Sequence, residues 1–241
     1  MSSLRLLRRS STSTSTSPPS RSWSPTAAFA AATERVRAGT LSQDDAHHLF
    51  DELLRQATPV PERPLNGFLA ALARATSSAA CITDGPALAV ALFNRVCREQ
   101  SGPRVVPLTV CTYNILMDCC CRTSRTDLGL AFFARLLRTG LKTDEITANT
   151  FLKCLCYAKR TDEAVNVLLH RMSELGCVPN AFSYSIVLKS LCNNNMSQRA
   201  LDLLQMMAKD RGSCFPDVVA YSSHPWLFQG RRNKQGMQSV P

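Results

Sequence analysis

The sequence predicts an all-α protein, a right-handed α-solenoid of stacked helix–turn–helix units. Apolar residues recur at helical spacing in short runs, and no stretch alternates with period two for long enough to build a sheet. Similar outlines return every 35 or 36 residues in the second half of the chain. One helical hairpin cannot bury its own apolar face, so such units have to stack on their neighbours.

The first 39 residues differ from the rest in composition. They contain six arginines and a single acid, Glu34, and the run LRLLRR can form a short basic amphipathic helix. Early arginines, many Ser and Thr residues and few acids are typical of an organelle transit peptide. We expect residues 1–39 to address the chain to mitochondria, with chloroplasts as the alternative. A disordered tail that stays in the cytosol is the competing interpretation.

The formal net charge of +10 is concentrated at the two ends. Residues 1–39 contribute +5 and the tail from Ser222 contributes +3, which leaves +2 for residues 40–221. Net charge therefore gives no argument of its own for nucleic-acid binding in the middle of the chain. No apolar stretch approaches the roughly 20 residues needed to span a bilayer, so we expect no membrane partner.

Helices are predicted from Ser42 onward. SQDDAHHLFDELLRQ begins with a serine cap and acids in its first turn, and then shows one apolar face. LNGFLAALARA and GPALAVALFNRVCRE follow as two more helices, with Pro86 where a first helical turn tolerates it. We interpret residues 40–109 as degenerate helical repeats.

Three clear units follow, at residues 110–144, 145–180 and 181–217. Two columns of small residues keep the register at separations of 35 and 36: Cys121, Cys156 and Cys192 on the first helix, and Gly129, Ala164 and Ala200 on the second. Each unit ends in a Gly that stops its second helix. Residues 218–241 begin a fourth unit and then lose periodicity, with Pro225 inside the expected first helix. We interpret them as a truncated repeat start and an irregular tail.

Eleven cysteines raise the question of a metal or redox site. The run Cys119–Cys121 cannot converge on one ion from a helix, because neighbouring side chains are about 100° apart. The odd count and the lack of a secretory signal argue against a disulfide framework. We expect small packing residues that let the second helix approach the first, with zinc binding as the alternative. Nothing in the sequence groups as a catalytic constellation, so we expect no enzyme, cofactor or small-molecule substrate.

The repeated outline resembles a known family. VCTYNILMDCCC, TDEAVNVLLHRMSELGCVPN and SYSIVLKSLC are similar to pentatricopeptide repeats of the P type, over residues 110–221. The Cys-rich first helices and basic presequence resemble the restorer-of-fertility-like subgroup. The resemblance implies sequence-selective binding of single-stranded organellar RNA, in mitochondrial transcript processing or stability, with or without a recruited processing factor. Three departures stand out: Gly129 for the usual Ala, Thr143 for the usual Pro, and an extra residue near His170.

In this family each repeat reads one nucleotide with two or three side chains. The resemblance places base-reading pairs at Asn114 with Asp144, Asn149 with Asn180, and Ser185 with Asp217. It places base-stacking residues three positions before each reader, at Cys111, Ile146 and Phe182. The family's pairing rule implies U, then a pyrimidine, chiefly C, then G, in the order 5′-U-C/U-G-3′. The competing interpretation is that Asn114 and Ser185 only cap helices and that Asp144 and Asp217 only supply turns.

Two other functions stay open. One is a protein-binding scaffold, because tetratricopeptide arrays use the same hairpin stacking; their early Trp and Gly–Tyr pair do not occur here. The other is a truncated product with no independent activity, because three or four units are close to the minimum for a stable solenoid.

Overall fold

The computed structural model describes residues 24–55, 61–75, 84–99 and 108–209, and these residues contain helices but no strand. The prediction of an all-α fold is therefore confirmed. The helices are α1 Pro25–Arg37, α2 Gln43–Arg55, α3 Glu62–Arg74, α4 Gly85–Glu99, α5 Val110–Arg122, α6 Thr126–Arg138, α7 Glu145–Tyr157, α8 Thr161–Asn166, α9 Ala181–Asn193 and α10 Ser197–Lys209. A π-helical turn, Val167–Arg171, continues α8.

Successive hairpins place their helices in two rows. The odd-numbered helices pack side by side in chain order, α1 on α3, α3 on α5, α5 on α7 and α7 on α9. We call these five helices the first-helix row. Helices α4, α6 and α8 each pack against the first helix of their own hairpin and of the next. Every unit thus contacts its neighbours along the chain, which is the arrangement of a solenoid. None of the described helices has the length and apolar character needed to cross a bilayer.

The folded part of the chain begins earlier than we expected. Helix α1 lies inside residues 1–39, and its Phe29 is 0% exposed, with its ring 5.7 Å from that of Phe50 and 5.6 Å from that of Phe68. The expectation of a transit peptide or disordered tail through residue 39 is therefore wrong for Pro25–Arg37. The Ser, Thr and Arg content of the segment concealed an apolar stripe at helical spacing. Residues 1–23 lie outside the described part of the chain.

Left-handed backbone conformations close the hairpins at two kinds of position. Gly140 and Gly176 both have φ of 73° and end the second helices of their units, as predicted for a helix-stopping Gly. Between the first and second helices of the three clear units the same conformation falls on residues other than Gly, namely Ser124, Lys159 and Asn195, whereas Gly39 supplies it between α1 and α2. These turns are short enough to keep the two helices of a hairpin in contact.

The extra residue near His170 is absorbed by the π-helical turn Val167–Arg171. Met172 lies eight residues after Ala164, whereas Leu136 lies only seven residues after Gly129. Widening one turn keeps Ala164, Leu168 and Met172 all buried in spite of the insertion. The apolar face therefore stays in register with the neighbouring units.

Gly129 stands where the next two units have Ala because the space for a methyl group is already occupied. A Cβ atom on Gly129 would come within 3.0 Å of Cys154 Sγ, from α7, and within 3.3 Å of Cys120 Cβ. Contacts this short would force one of the neighbours to move. The glycine in α6 and the cysteine in α7 are thus matched across the boundary between two units.

Apart from the exposed Cys111, the cysteines of the first helices α5, α7 and α9 are packing residues. Cys119, Cys120 and Cys121 are all buried, and burial raises the pKa of the Cys120 thiol to about 12, so it stays protonated. Cys121 contacts Cys154 on α7, and Cys156 Sγ lies 4.0 Å from the Ile186 carbonyl oxygen on α9. This column therefore packs between neighbouring first helices, whereas we expected it to accommodate the second helix of its own unit. Within the described residues, no three His, Cys, Asp or Glu side chains are grouped so that they could hold a metal ion.

Replacement of Phe29 tests whether α1 belongs to the folded core. Phe29→Ala should lower the free energy of unfolding by about 3–5 kcal/mol, because the substitution leaves a cavity between Phe50 and Phe68. Phe182→Ala is the matched control, since Phe182 is 56% exposed, and it should cost less than about 1 kcal/mol. Urea unfolding of the two variants, followed by circular dichroism, makes the comparison. Equal effects would mean that α1 does not stabilise the fold.

Candidate nucleic-acid interface

The three predicted readers occupy equivalent positions in the first-helix row. Asn114, Asn149 and Ser185 are each the fifth residue of their helix, in α5, α7 and α9. Because these helices pack side by side in chain order, the readers follow one another along one face of the solenoid. Each unit therefore presents one polar side chain at the same distance along its first helix.

The predicted partners of the first two readers are helix caps. Asp144 immediately precedes α7, and its Oδ1 accepts a hydrogen bond from the Thr147 backbone N–H at 2.7 Å. Asn180 immediately precedes α9, and its Oδ1 accepts from the Ser183 N–H at 3.0 Å. Capping thus accounts structurally for these two residues. The readers themselves lie inside their helices and do not cap them. Asp217, the predicted partner of Ser185, lies outside the described residues.

The structure brings the first predicted pair together. Asn114 and Asp144 line the same cavity, about 400 Å³ in volume, together with Cys111 and Ile146. Ser185 lines a larger groove of about 600 Å³ between α5, α7 and α9, and its hydroxyl donates to the Ala181 carbonyl of its own helix at 2.8 Å.

The second predicted pair is tied more closely into the protein. Asn149 is 7% exposed, and its Oδ1 accepts from Ser183 Oγ at 2.6 Å. Asn180 Nδ2 donates to Glu145 Oε2 at 3.2 Å. Asn149 Nδ2 donates no hydrogen bond within the described residues, and it is not among their buried unpartnered atoms. The amide NH₂ is therefore the end of Asn149 that is not bonded within the described residues, although Asn149 lines neither of the two cavities.

The predicted stacking residues lie on the surface, each as the second residue of its helix. Ile146 is 66% exposed and Phe182 is 56% exposed, which is unusual for large apolar side chains that only stabilise a fold. Lys153 Nζ lies 5.6 Å from the centroid of the Phe182 ring, a cation–π contact between adjacent units. Cys111 is exposed beside the first cavity, where partial burial and then the carboxylates of Glu62 and Asp144 raise the pKa of its thiol.

The wall of the larger groove is strongly basic. It carries Arg122, Lys153, Lys159 and Lys189 against one acid, Asp118, whose Oδ2 accepts from Arg122 Nε at 3.0 Å. In the described part of the chain no carboxylate lies within 4.0 Å of Lys153 or Lys189. The net charge of residues 40–221 is only +2, so the composition of this segment did not reveal the local cluster of basic residues. The repeat interval could have revealed this basic surface in the sequence. Lys153 and Lys189 are 36 residues apart, as are Cys156 and Cys192, so both lysines occupy the same position in successive units.

Helix α3 repeats the polar arrangement upstream, and sequence reasoning missed it. Asn66 is the fifth residue of α3, and its Oδ1 accepts from Thr112 Oγ1 at 2.7 Å, as Asn149 accepts from Ser183. Its Nδ2 donates to Glu62 Oε1 at 3.3 Å, so both ends of this amide are bonded within the protein. The segment LNGFL, which contains Asn66, is similar to YNILM, which contains Asn114, and this similarity could have revealed the equivalence. The two asparagines are 48 residues apart, however, which does not match the repeat interval of 35 or 36 residues.

Comparison with family models and solved structures agrees with this geometry. Models of the pentatricopeptide repeat match residues 108–157, 143–193 and 182–211, which span α5 to α10. The chain is a pentatricopeptide repeat protein. Its sequence is 47% identical over 180 residues to mitochondrial protein Rf1 of Oryza sativa subsp. indica, a match that covers 75% of this chain and 21% of Rf1. This similarity supports the expected placement in the restorer-of-fertility-like subgroup.

A second relative is more distant. A chloroplastic pentatricopeptide repeat-containing protein of Arabidopsis thaliana is 37% identical over 79 residues, 33% of this chain and 10% of that protein. This pentatricopeptide repeat protein thus spans about a fifth of the length of Rf1 and a tenth of the second relative.

Two solved structures share the fold and confirm the predicted helical-repeat solenoid. The pentatricopeptide repeat protein PPR10 in complex with an 18-nt psaJ RNA element superposes with a TM-score of 0.59 at 23% identity, covering 93% of this chain and 30% of that one. The repeat domain of Arabidopsis thaliana protein-only RNase P 1, in complex with tRNA, superposes with a TM-score of 0.58 at 17% identity, covering 84% and 98%.

Proposed function

We propose that this pentatricopeptide repeat protein binds single-stranded RNA along its first-helix row, one nucleotide per unit, and acts on mitochondrial transcripts by binding and not by catalysis. The observation that carries the proposal is the exposure of apolar Ile146 and Phe182 at one repeating position, beside a basic groove. Bases stack on such side chains, and lysines attract the phosphates between them. Amide and hydroxyl groups at the reading positions then select among the bases.

A protein-binding scaffold is the second candidate, because exposed apolar residues also suit a protein partner. The lysines of the groove favour RNA, since Lys is depleted in protein–protein interfaces. One reader per unit also suits a polymer with one base per repeat. A chain that binds no RNA pool would leave the scaffold as the better interpretation.

Selection from a pool of short single-stranded RNAs tests the proposed function. The full chain should enrich 5′-U-C/U-G-3′, with Asn114 and Asp144 at the U and Ser185 and Asp217 at the G. Three bases specify little, and each mismatch should cost about 1–3 kcal/mol if experience with protein–DNA sites transfers. Ser185→Asn should move the third preference from G towards U and leave the first two unchanged. The same motif from both proteins would remove Ser185 from the site.

The basic groove predicts how binding responds to salt. Lys153→Met and Lys189→Met should each weaken binding to every sequence and make the log–log salt slope shallower by about 0.7, the value for one phosphate contact on a single strand. Lys142→Met is the matched control, because Lys142 is exposed but does not line either cavity. If Lys142→Met changed the slope as much as the groove variants, RNA would not follow the groove.

Localisation in mitochondria is the remaining part of the proposal. It is supported by the similarity to Rf1 and by four arginines and no acid in residues 1–24, before α1 begins. Residues 1–24 fused to a fluorescent protein should enter mitochondria, and replacement of Arg5, Arg8 and Arg9 by Ala should prevent entry. Accumulation of the unaltered fusion in chloroplasts or in the cytosol would contradict it.

A further inference from the structure

A hydroxyl group recurs at the three successive boundaries between α3, α5, α7 and α9 in the first-helix row. Thr112, Thr147 and Ser183 are each the third residue of their helix, and all three are 0% exposed. Hydrogen bonds join Thr112 and Ser183 to the fifth residue of the preceding first helix, Asn66 and Asn149, and Thr147 has the equivalent helix position one unit after Asn114. A hydroxyl has only one hydrogen, so it can donate fully either to this fifth residue or to the cap of its own helix.

At two of these boundaries the hydroxyl donates to the fifth residue of the preceding first helix. Ser183 Oγ lies 2.6 Å from Asn149 Oδ1 and 3.1 Å from the Oδ1 of the cap, Asn180, so the reader is the closer acceptor. Thr112 makes the same bond to Asn66 upstream, at 2.7 Å. A carboxamide whose oxygen is turned inward by such a bond presents its NH₂ group outward to a ligand.

At the middle boundary the hydroxyl donates to the cap. Thr147 Oγ1 lies 2.6 Å from Asp144 Oδ1, and a carboxylate is a stronger acceptor than an amide oxygen. Asn114 Oδ1 is left buried without a hydrogen-bond partner in the described part of the chain. Such an atom is costly to keep. If Thr147 faces Asn114 as Ser183 faces Asn149, rotating the Asn114 amide by half a turn removes the cost. Nδ2 then donates to the hydroxyl oxygen of Thr147, and Oδ1 turns to the cavity.

We propose that this hydroxyl is a relay by which the cap residue selects the end of the reader amide that faces RNA. With the acid Asp144 as cap, Asn114 presents an oxygen, which accepts from the N3–H of uracil. With the amide Asn180 as cap, Asn149 presents NH₂, which donates to the unprotonated N3 of cytosine. Thr147 and Ser183 are thus positioning residues that never contact the base. The inference rests on the proposed RNA-binding function.

The decisive experiment separates the relay from direct reading by residue 144. The full chain and its variants are measured by competition filter binding against RNAs that carry U or C at the first base. Asp144→Asn should move the preference from U towards C by about tenfold, a typical cost of one wrong base. In a Thr147→Val background, which keeps the side-chain shape but removes the hydroxyl, the same substitution should change the preference less than about twofold.

The second boundary supplies an independent test. Ser183→Ala should abolish the preference for C over U at the second base, and Ser183→Thr should retain it. Neither should alter the first-base preference, which serves as the internal control. Thermal unfolding checks that each variant is folded.

The outcomes distinguish the relay from the function on which it rests. If Asp144→Asn shifted the preference equally with and without the Thr147 hydroxyl, residue 144 would contact the base itself, and the relay would be wrong while RNA binding stood. Unchanged discrimination by Ser183→Ala would overturn the relay in the same way. A wild-type chain that bound these RNAs without distinguishing U from C would overturn the relay alone, and one that bound none of them would overturn both.

Discussion

Burial of each hairpin's apolar face against the next hairpin is the interaction on which the rest of the structure depends. The rings of Phe29, Phe50 and Phe68 meet across the first two hairpins, and Phe93 contacts Phe132 at 5.3 Å across the next boundary. Phe151 on α7 stacks on Phe133 of α6 and packs against the apolar clusters on both of its sides. No hairpin buries these residues by itself, so the units have to keep a common register.

That register determines where the polar residues lie. Readers at the fifth position, apolar residues at the second and hydroxyls at the third repeat together because the helices that carry them are held side by side. The insertion in the second unit shows how strictly the core enforces this: one widened turn at Val167–Arg171 absorbs the extra residue. Gly129 and Cys154 adjust to each other for the same reason. A change in packing would displace the reading side chains as well.

Much of this organisation could be predicted from the sequence, because landmarks such as Gly140 and Gly176 serve local conformations that few residues tolerate. Helix α1 was missed because the composition of the first 39 residues resembles a targeting segment, although Phe29, Ala32 and Val36 repeat at helical spacing. Asn66 was missed because the interval to the next unit is longer than a repeat. The acceptor to which the Thr147 hydroxyl donates could not be predicted from the sequence, because it depends on distances between groups in different units.

Hydrogen exchange with and without a short RNA that contains 5′-UCG-3′ tests the central claim most directly. If RNA lies along the first-helix row, its binding should slow amide exchange in α5, α7 and α9 and leave α6 and α10 unchanged, because the second helices face away from the ligand. The peptides of each helix can be followed separately by mass spectrometry. Protection confined to the second helices, or none at an RNA concentration that saturates binding, would contradict the account.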